Sequence, residues 1–300
     1  MSYTKIEVKN PERKENIASY LRRNNISYRY MQKLKQEFGN IKLNGKKVFA
    51  DQKIKDGDII EILNNTQPKS DIKKCILPLD VVYEDEYILI INKPAGLACM
   101  PTKSQYDHNL AGALMYYMEK KDPNFVCRII NRLDKEACGI VLVAKNSYSA
   151  SFFNANIDAI KKVYHAICSG KINDNICVNK KIATLVDEDG RNQMKRVIDE
   201  ENGLEAQTYI TPIKYLKSID STLIKVQIVN GRTHQIRLHT SSIDHALLGD
   251  KLYGSESNEI SHTALLCKSM QILHPFTNKL MNFEVDYPSD FKRILIWDKV

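Results

Sequence analysis

An uninterrupted apolar run at residues 140–144 sets the centre of any fold that this 300-residue chain can adopt. Such a run predicts a strand buried on both faces, because a half-exposed strand would alternate apolar and polar residues. Asn131-Arg132-Leu133-Asp134 and then Gly139 precede the run, so a guanidinium and a carboxylate lie at the mouth of a buried strand. A charge in this place either caps a turn or takes part in chemistry.

Strand patterns dominate the sequence on both sides of this run. Residues 81–83 and 87–91 flank an acidic turn and predict a hairpin, while residues 222–229 alternate like a half-buried strand. Other segments predict a strand at residues 163–168 and helices at 109–118, at 147–157 and from Thr233 towards residue 243. The chain is therefore expected to be rich in strands, with a few flanking helices.

The composition is that of a globular protein outside membranes. Apolar residues make up 43% of the chain, and no apolar run approaches the roughly 18 residues that span a bilayer. The first 16 residues are polar and charged, unlike a secretory signal. Seven cysteines are scattered without a Cys-x-x-Cys pair, which argues against zinc ribbons and redox motifs and favours the cytoplasm.

Positive charge is concentrated at the front of the chain. Residues 1–70 have a net charge of +7, whereas the other 230 residues have a net charge of +1. A small basic module points to a polyanionic partner, although a solvated charged face would have the same composition. We expect a basic module at residues 1–65, a polar linker containing Pro68 at 66–78, and a second domain at 79–300.

The basic module has a helix–helix–hairpin pattern. Residues 17–23 predict a short helix, and Ser27 is a suitable N-cap for a second helix over residues 28–38. Two strand segments at 41–48 surround an Asn44-Gly45 turn, and Asp56-Gly57-Asp58 forms a turn before another strand.

This order resembles the small RNA-binding domain named after a ribosomal small-subunit protein, over about residues 11–65. The resemblance rests on Ser27-x-Arg29, Asn44-Gly45-Lys46 and Asp56-Gly57-Asp58. It implies that two helices and a hairpin present basic side chains to RNA. We take these side chains to be Arg22, Arg23, Arg29, Lys33 and Lys46.

Three residues of the second domain are candidates for chemistry. Asp134 is the lone acid at the mouth of the buried strand, Arg237 lies in the dense segment 231–239, and Tyr164 shares a strand face with small residues that leave room for a planar ligand. Taken singly, each also has an ordinary structural explanation: a turn cap, a solvated basic helix end and a core tyrosine.

Taken in order, the sequence blocks resemble the RluA-type family of RNA pseudouridine synthases, and among them the RluD-like members that carry a basic module in front. The match covers about residues 78–295. It rests on the following blocks: Lys93-Pro94-Ala95-Gly96, Asn131-Arg132-Leu133-Asp134 with Gly139, Lys162-Val163-Tyr164-His165-Ala166, Gly231-Arg232-Thr233-His234-Gln235-Ile236-Arg237, Gly249-Asp250-Lys251-Leu252-Tyr253-Gly254 and His274-Pro275.

The resemblance implies an α+β fold, with a mixed, largely antiparallel β-sheet and flanking helices behind a small α/β RNA-binding module. It implies an isomerase that converts uridine in RNA, most often large-subunit ribosomal RNA, to pseudouridine. Transfer RNA is the other candidate substrate. No metal or other cofactor is implied, no membrane is involved, and the chain is expected to act as a monomer.

The resemblance also implies a role for each site residue. Asp134 would be the catalytic aspartate, Arg237 its partner, and Tyr164 the ring beneath the target base. Arg132 would enter the RNA where the target base has been flipped out. The supporting residues of the Arg237 segment would be Thr233, His234 and Gln235.

One block departs from the family. A small turn with hydroxyl side chains usually follows the aspartate, and here it reads Lys135-Glu136-Ala137-Cys138. Two rivals follow at the level of the sequence. The first is an RNA-binding protein in which this altered turn has removed activity. The second is a nucleoside or glycoside hydrolase, which needs a second acid close to Asp134.

Overall fold

The computed structural model describes residues 3–63, 71–187, 189, 192–254 and 257–297. The front part contains two helices and a small antiparallel sheet in the order β1-β4-β2-β3. Its elements are β1 Tyr3–Glu7, α1 Ile17–Arg23, α2 Tyr28–Lys35, β2 Ile41–Leu43, β3 Lys46–Lys47 and β4 Ile59–Leu63. The predicted helix–helix–hairpin order is present, and β1 is an additional strand that pairs with β4.

Local capping explains where the two front helices begin. The side chain of Asn16 accepts a hydrogen bond from the backbone of Ser19 at 2.9 Å, and Ser19 bonds back to Asn16. Ser27 Oγ accepts from the backbone of Tyr30 at 3.3 Å, as its predicted N-cap role requires. The second helix ends at Lys35 instead of extending to residue 38, so the predicted end was three residues too late.

The remaining chain builds one large sheet in the order β5-β6-β7-β14-β8-β13-β12-β9, with β15 added to β14. All pairings in it are antiparallel except β7 with β14, which confirms the predicted mixed, largely antiparallel α+β fold. The elements are β5 Asp80–Glu84, β6 Ile88–Lys93, α3 Leu110–Met118, β7 Cys138–Ala144, α4 Ser147–Ala155, β8 Lys161–Ser169, β9 Ile176–Asn179, β10 Ile182–Val186, β11 Asn192–Ile198, β12 Gln207–Leu216, β13 Ser221–Val229, α5 Gln235–Ser241, β14 Leu265–Leu273, β15 Leu280–Glu284 and α6 Ser289–Trp297.

The central strand β7 is buried along its whole length, as its apolar sequence predicts. It pairs antiparallel with β6 and parallel with β14. Gly139 lies at the parallel contact with a φ of +106°, where a Cβ atom would lie 2.7 Å from the backbone nitrogen of Cys267. Only glycine permits this close approach of the two strands.

The front part packs against the large sheet domain. The backbone N–H of Ser27 donates to Oγ of Ser151 in α4 at 2.8 Å, and the two hydroxyls are also 2.8 Å apart. Tyr30 is buried and bonds through its hydroxyl to the carbonyl of Leu63. One hydrophobic cluster runs through both parts. Within the predicted linker 66–78, residues 66–70 lie outside the described chain, while Cys75 bonds to the backbone of Gly112 in α3.

The strands β10 and β11 pair with each other as a separate antiparallel hairpin, named the β10–β11 hairpin below. No helix among the described residues combines the length and the apolar character needed to cross a membrane.

Replacing Gly139 with Ala should destabilise the fold more than an ordinary glycine substitution. A positive φ alone costs an alanine roughly 1–2 kcal/mol, and at Gly139 the clash with the backbone of Cys267 adds to this. Gly45→Ala is the matched control, because Gly45 has a φ of +81° and nothing within 4 Å of the added Cβ. Urea unfolding should show a larger decrease in the free energy of unfolding for Gly139→Ala than for Gly45→Ala. Equal decreases in the two variants would show that the strand contact does not require glycine.

Candidate active site

Asp134 lies in the loop before β7, and Asn131 fixes this loop to the strand. The Asn131 side chain donates to the carbonyl of Ile140 at 3.0 Å and accepts from the backbone of Leu142 at 2.7 Å. The side chain thereby continues the backbone pairing of residues 128–130 with β7. This holds the start of the Arg132–Asp134 loop rigidly against the sheet.

Lys93 holds the other end of the same loop. Its side chain is fully buried, and Nζ donates to the carbonyls of Pro94, Leu97 and Lys135 at 2.9, 2.8 and 3.2 Å. The Lys93-Pro94 turn is thereby joined to the residue that follows Asp134. The backbone of Ala137 also bonds to the carbonyl of Asp134 at 3.2 Å, so the turn closes without the usual hydroxyl side chains.

Arg237 joins Asp134 to a second, buried carboxylate. Its Nη1 lies 3.2 Å from Oδ2 of Asp134. Its Nε and Nη2 donate to the two oxygens of Asp250 at 2.7 Å each. The side chain of Asp250 is fully buried, that of Arg237 is 8% exposed, and that of Asp134 is 24% exposed. The predicted contact between residues 134 and 237 is thus present, with Asp250 behind it.

The charges of this cluster support one another. Burial opposes ionisation of Asp250, but its hydrogen bonds with Arg237 and the positive charge of that group bring the carboxyl pKa below its usual value. Burial likewise lowers the pKa of Arg237, and the two carboxylates outweigh this effect, so the guanidinium pKa is raised. A bidentate guanidinium of this kind is a rigid, permanently charged partner for Asp134.

Tyr164 lies on β8 in the middle of the sheet, opposite Val226 of β13 and Cys267 of β14. It is buried, and burial raises its pKa well above the usual value, so the ring stays neutral. Tyr164 and Asp134 both line a cavity of about 530 Å³. A cavity of this size accommodates one flipped nucleotide better than a duplex.

The other predicted site residues surround this cavity. Arg132 is exposed and lines it, and Thr233 lines it from the segment before α5. Gln235 ties this segment to the sheet, since its amide donates to the carbonyls of Gln207 and Val229 at 2.8 and 3.2 Å. The helix begins at Gln235 with His234 as its N-cap, so the predicted cap at Thr233 was one residue too early.

The five basic residues predicted to bind RNA lie on the front part and differ in whether their charge already has a partner. Arg22, Arg29, Lys33 and Lys46 are exposed on the front part. Arg23 is exposed as well, but it forms a two-pronged contact with the buried carboxylate of Glu15, at 3.1 and 2.8 Å. Its guanidinium therefore has an internal partner in this structure.

Sequence reasoning assigned no role to Asp250, Tyr253 or Lys93, although it recognised the blocks that contain them. Tyr253 lies against the site, with the Arg237 guanidinium 5.2 Å from its ring centre. The acid directly after the first Gly of the 249–254 block was the available signal. Among the described residues, no group of three or more His, Cys, Asp or Glu side chains is arranged to hold a metal ion.

Known proteins resemble this chain over most of its length. A sequence profile of the family described as RNA pseudouridylate synthase matches residues 87–242. An uncharacterized RNA pseudouridine synthase from Aquifex aeolicus is 31% identical, with 97% of this chain and 96% of the relative covered. Ribosomal large subunit pseudouridine synthase D from Zymomonas mobilis is 32% identical, with 73% and 74% covered. The solved structure of human RNA Pseudouridylate Synthase Domain Containing 1 is 21% identical and shares the fold, with a TM-score of 0.57 over 74% of this chain and 87% of that one.

Replacing Asp250 with Asn should destabilise the folded protein by about 3–5 kcal/mol, the usual effect of removing one partner from a buried ion pair. Folding lowers the pKa of Asp250, so this contribution is present at neutral pH and is lost as the pH falls below about 3.9 and through the lower folded-state value. Urea unfolding of both proteins at pH 7 and in acid measures it.

The control is Asp107→Asn, which removes the ion pair of Asp107 with Lys73. The two side chains are 56% and 61% exposed, so the change in the free energy of unfolding should be at most about 1 kcal/mol. The difference in the free energy of unfolding between wild type and Asp250→Asn should be smaller in acid than at pH 7. A difference that is the same at both pH values would show that the charge of Asp250 does not stabilise the fold.

Proposed function

Since the chain belongs to the RNA pseudouridylate synthase family, we propose that Asp134 is the carboxylate that carries out the isomerisation of uridine. The membership confirms the predicted family, the enzyme class and RNA as the substrate. The observation that carries the proposal is the 3.2 Å ion pair between Asp134 and Arg237 at the cavity above Tyr164.

The reaction needs one carboxylate and a closed site. The bond from the sugar C1′ to uracil N1 breaks, the base turns, and a bond forms from C1′ to C5, which then loses its proton. Oδ2 of Asp134 is engaged by Arg237, which leaves Oδ1 for the sugar. Asp134 either attacks C1′ or takes a proton from the sugar, and the same geometry serves both steps.

The base must leave the RNA stack before it reaches Asp134. Tyr164 offers a neutral ring at the cavity lining, on which the flipped uracil stacks. Arg132, exposed at the cavity rim, fills the place that the base leaves in the RNA. Neither a metal nor another cofactor is needed for these steps.

The hydrolase rival requires a second acid that exchanges protons beside Asp134. Asp250 is the carboxylate that shares Arg237 with Asp134. It is fully buried, and both its oxygens accept hydrogen bonds from the guanidinium. It therefore anchors Arg237 and does not serve as the proton donor of a hydrolase.

We further propose that residues 1–65 form an RNA-binding module and that the substrate is large-subunit ribosomal RNA. The exposed basic side chains of the module support the first part, and the name of the Zymomonas mobilis relative supports the second. Mapping pseudouridine in ribosomal and transfer RNA of cells with and without the gene separates the two substrates.

Asp134→Ala should lower turnover by a factor of about 10⁴ or more, as removal of an essential nucleophile or base does, while RNA binding survives. Tritium release from RNA labelled at uridine C5 measures turnover, and a gel-shift titration measures binding. The control is Glu136→Gln, which removes a nearby, partly exposed acid and should leave turnover unchanged. Full activity in Asp134→Ala would contradict the assignment, and release of free uracil by wild type would favour the hydrolase.

Joint replacement of Arg29, Lys33 and Lys46 by Ala should weaken RNA binding and flatten its salt dependence. Each lost phosphate contact lowers the slope of log K against log salt by about 0.7–0.9, so the triple variant should lose about 2 to 3 in slope. The control removes three exposed lysines from the sheet domain, Lys120, Lys217 and Lys279. Equal slopes in both triple variants would rule out a special role of the front module.

A further inference from the structure

A line of hydrogen-bonding groups connects the β10–β11 hairpin with Asp134. The backbone N–H of Arg196 in β11 donates to Oη of Tyr253 at 2.6 Å. The same oxygen lies 3.0 Å from Nδ1 of His234. On the other side of the imidazole, Nε2 lies 3.9 Å from Oδ2 of Asp134. Three groups from different elements thus lead from the surface hairpin to the carboxylate.

The direction of these contacts favours one tautomer of His234. A backbone N–H can only donate, so Oη of Tyr253 accepts from Arg196. The single proton of the Tyr253 hydroxyl is then available for Nδ1 of His234. A neutral imidazole that accepts at Nδ1 carries its proton on Nε2, and this N–H faces Asp134.

The surroundings keep this imidazole neutral. Burial lowers the pKa of His234, the negative charges of Asp134 and Asp250 raise it, and the positive charges of Arg237 and Arg196 lower it, with a net shift downwards. The ring also packs edge-on against Tyr253, with centroids 5.6 Å apart. His234 is held at a φ of +58° directly before α5, so its backbone position is tied to that of Arg237.

The separation of 3.9 Å between Nε2 and the carboxylate is longer than a hydrogen bond. A shift of about 1 Å would close it. The hairpin is well placed to provide such a shift, because it exposes Met194 and carries Lys195, whose Nζ is 5.8 Å from the centre of the Tyr253 ring. Contact of the hairpin with RNA would therefore reach Tyr253 directly.

We propose that His234 is a positioning residue whose Nε2–H, set by Tyr253, orients Oδ2 of Asp134, and that Tyr253 couples RNA contact at the β10–β11 hairpin to this orientation. The proposal rests on the proposed function, since it requires Asp134 to act on the substrate. It gives Tyr253, which sequence reasoning left without a role, a specific place in the reaction.

Three variants of the full chain test this coupling. Tyr253→Phe keeps the ring and removes only the hydroxyl. His234→Phe removes both hydrogen-bonding nitrogens, whereas His234→Gln keeps an acceptor towards Tyr253 and a donor towards Asp134 but does not titrate in the assay range. The measurements are single-turnover tritium release from uridine-labelled ribosomal RNA over pH 5.5 to 8.5, and gel-shift affinity for the same RNA.

We expect Tyr253→Phe and His234→Phe to lower the single-turnover rate constant by about tenfold each, the factor that one lost hydrogen bond corresponds to, with unchanged RNA affinity. His234→Gln should recover most of the rate lost in His234→Phe. In Tyr253→Phe the freed Nδ1 takes up a proton more readily. The charged imidazole then pairs with Asp134, so the decrease of the rate on the acid side of the pH profile should move to higher pH. His234→Gln should not show the decrease that protonation of His234 causes.

Rates and pH profiles equal to wild type in Tyr253→Phe and His234→Phe would overturn the coupling while leaving Asp134 as the catalytic group. A rate loss in Tyr253→Phe without any change in the pH profile would also overturn it, because a merely structural contact would act in that way. Lack of turnover by wild type on every RNA, with Asp134→Ala behaving identically, would instead refute the proposed function.

Discussion

The guanidinium of Arg237, shared by two carboxylates, is the interaction on which the site depends. A buried carboxylate or guanidinium alone would be strongly unfavourable, and each is tolerated here because the others are present. Asp250 is fully buried and takes two of the guanidinium N–H groups, which fixes the plane of the group. The remaining edge then meets Asp134, which lines the cavity.

The fold brings these groups together from distant parts of the chain. Asp134 precedes β7, Tyr164 lies on β8, and Arg237 follows β13 on α5. The strands β7, β14, β8 and β13 are consecutive neighbours in the sheet, so the three residues converge at its centre. Asn131 and Lys93 fix the loop through backbone bonds, which do not depend on the identity of the residues after Asp134. The altered turn therefore leaves the carboxylate in place.

Much of this could be predicted from the sequence because the signals were local. The apolar run of β7, the Asn44-Gly45 turn and the cap at Ser27 each lie within a few residues of the element that they define. The pairing of β1 with β4 could not, since it joins residues some 56 positions apart and β1 has little apolar pattern. The end of α2 was misjudged because Gly39 is a stop signal that the helix does not reach.

In the site, too, local sequence blocks could be predicted, whereas contacts between distant residues could not. Asp134, Tyr164 and Arg237 lie in dense sequence blocks and were identified as candidates, but no spacing argument could establish a contact across 103 positions. The roles of Asp250 and Tyr253 depend on which atoms face each other, and that is decided by the tertiary packing of the segment after α5. Charge composition likewise indicated a basic front module but could not reveal that Arg23 is paired with Glu15.

The claim that Arg237, held by Asp250, positions Asp134 is tested most directly by a double-mutant cycle. It compares the single-turnover rate constants of Arg237→Lys, Asp250→Asn and the combined variant with that of wild type. A lysine cannot reproduce the bidentate contact, so each single change should release Asp134 from its fixed partner. If Arg237 and Asp250 act as one unit on Asp134, the combined variant will be no slower than the slower single variant. Rate losses that multiply in the combined variant would show that the two residues act independently and would contradict the shared guanidinium as the basis of the site.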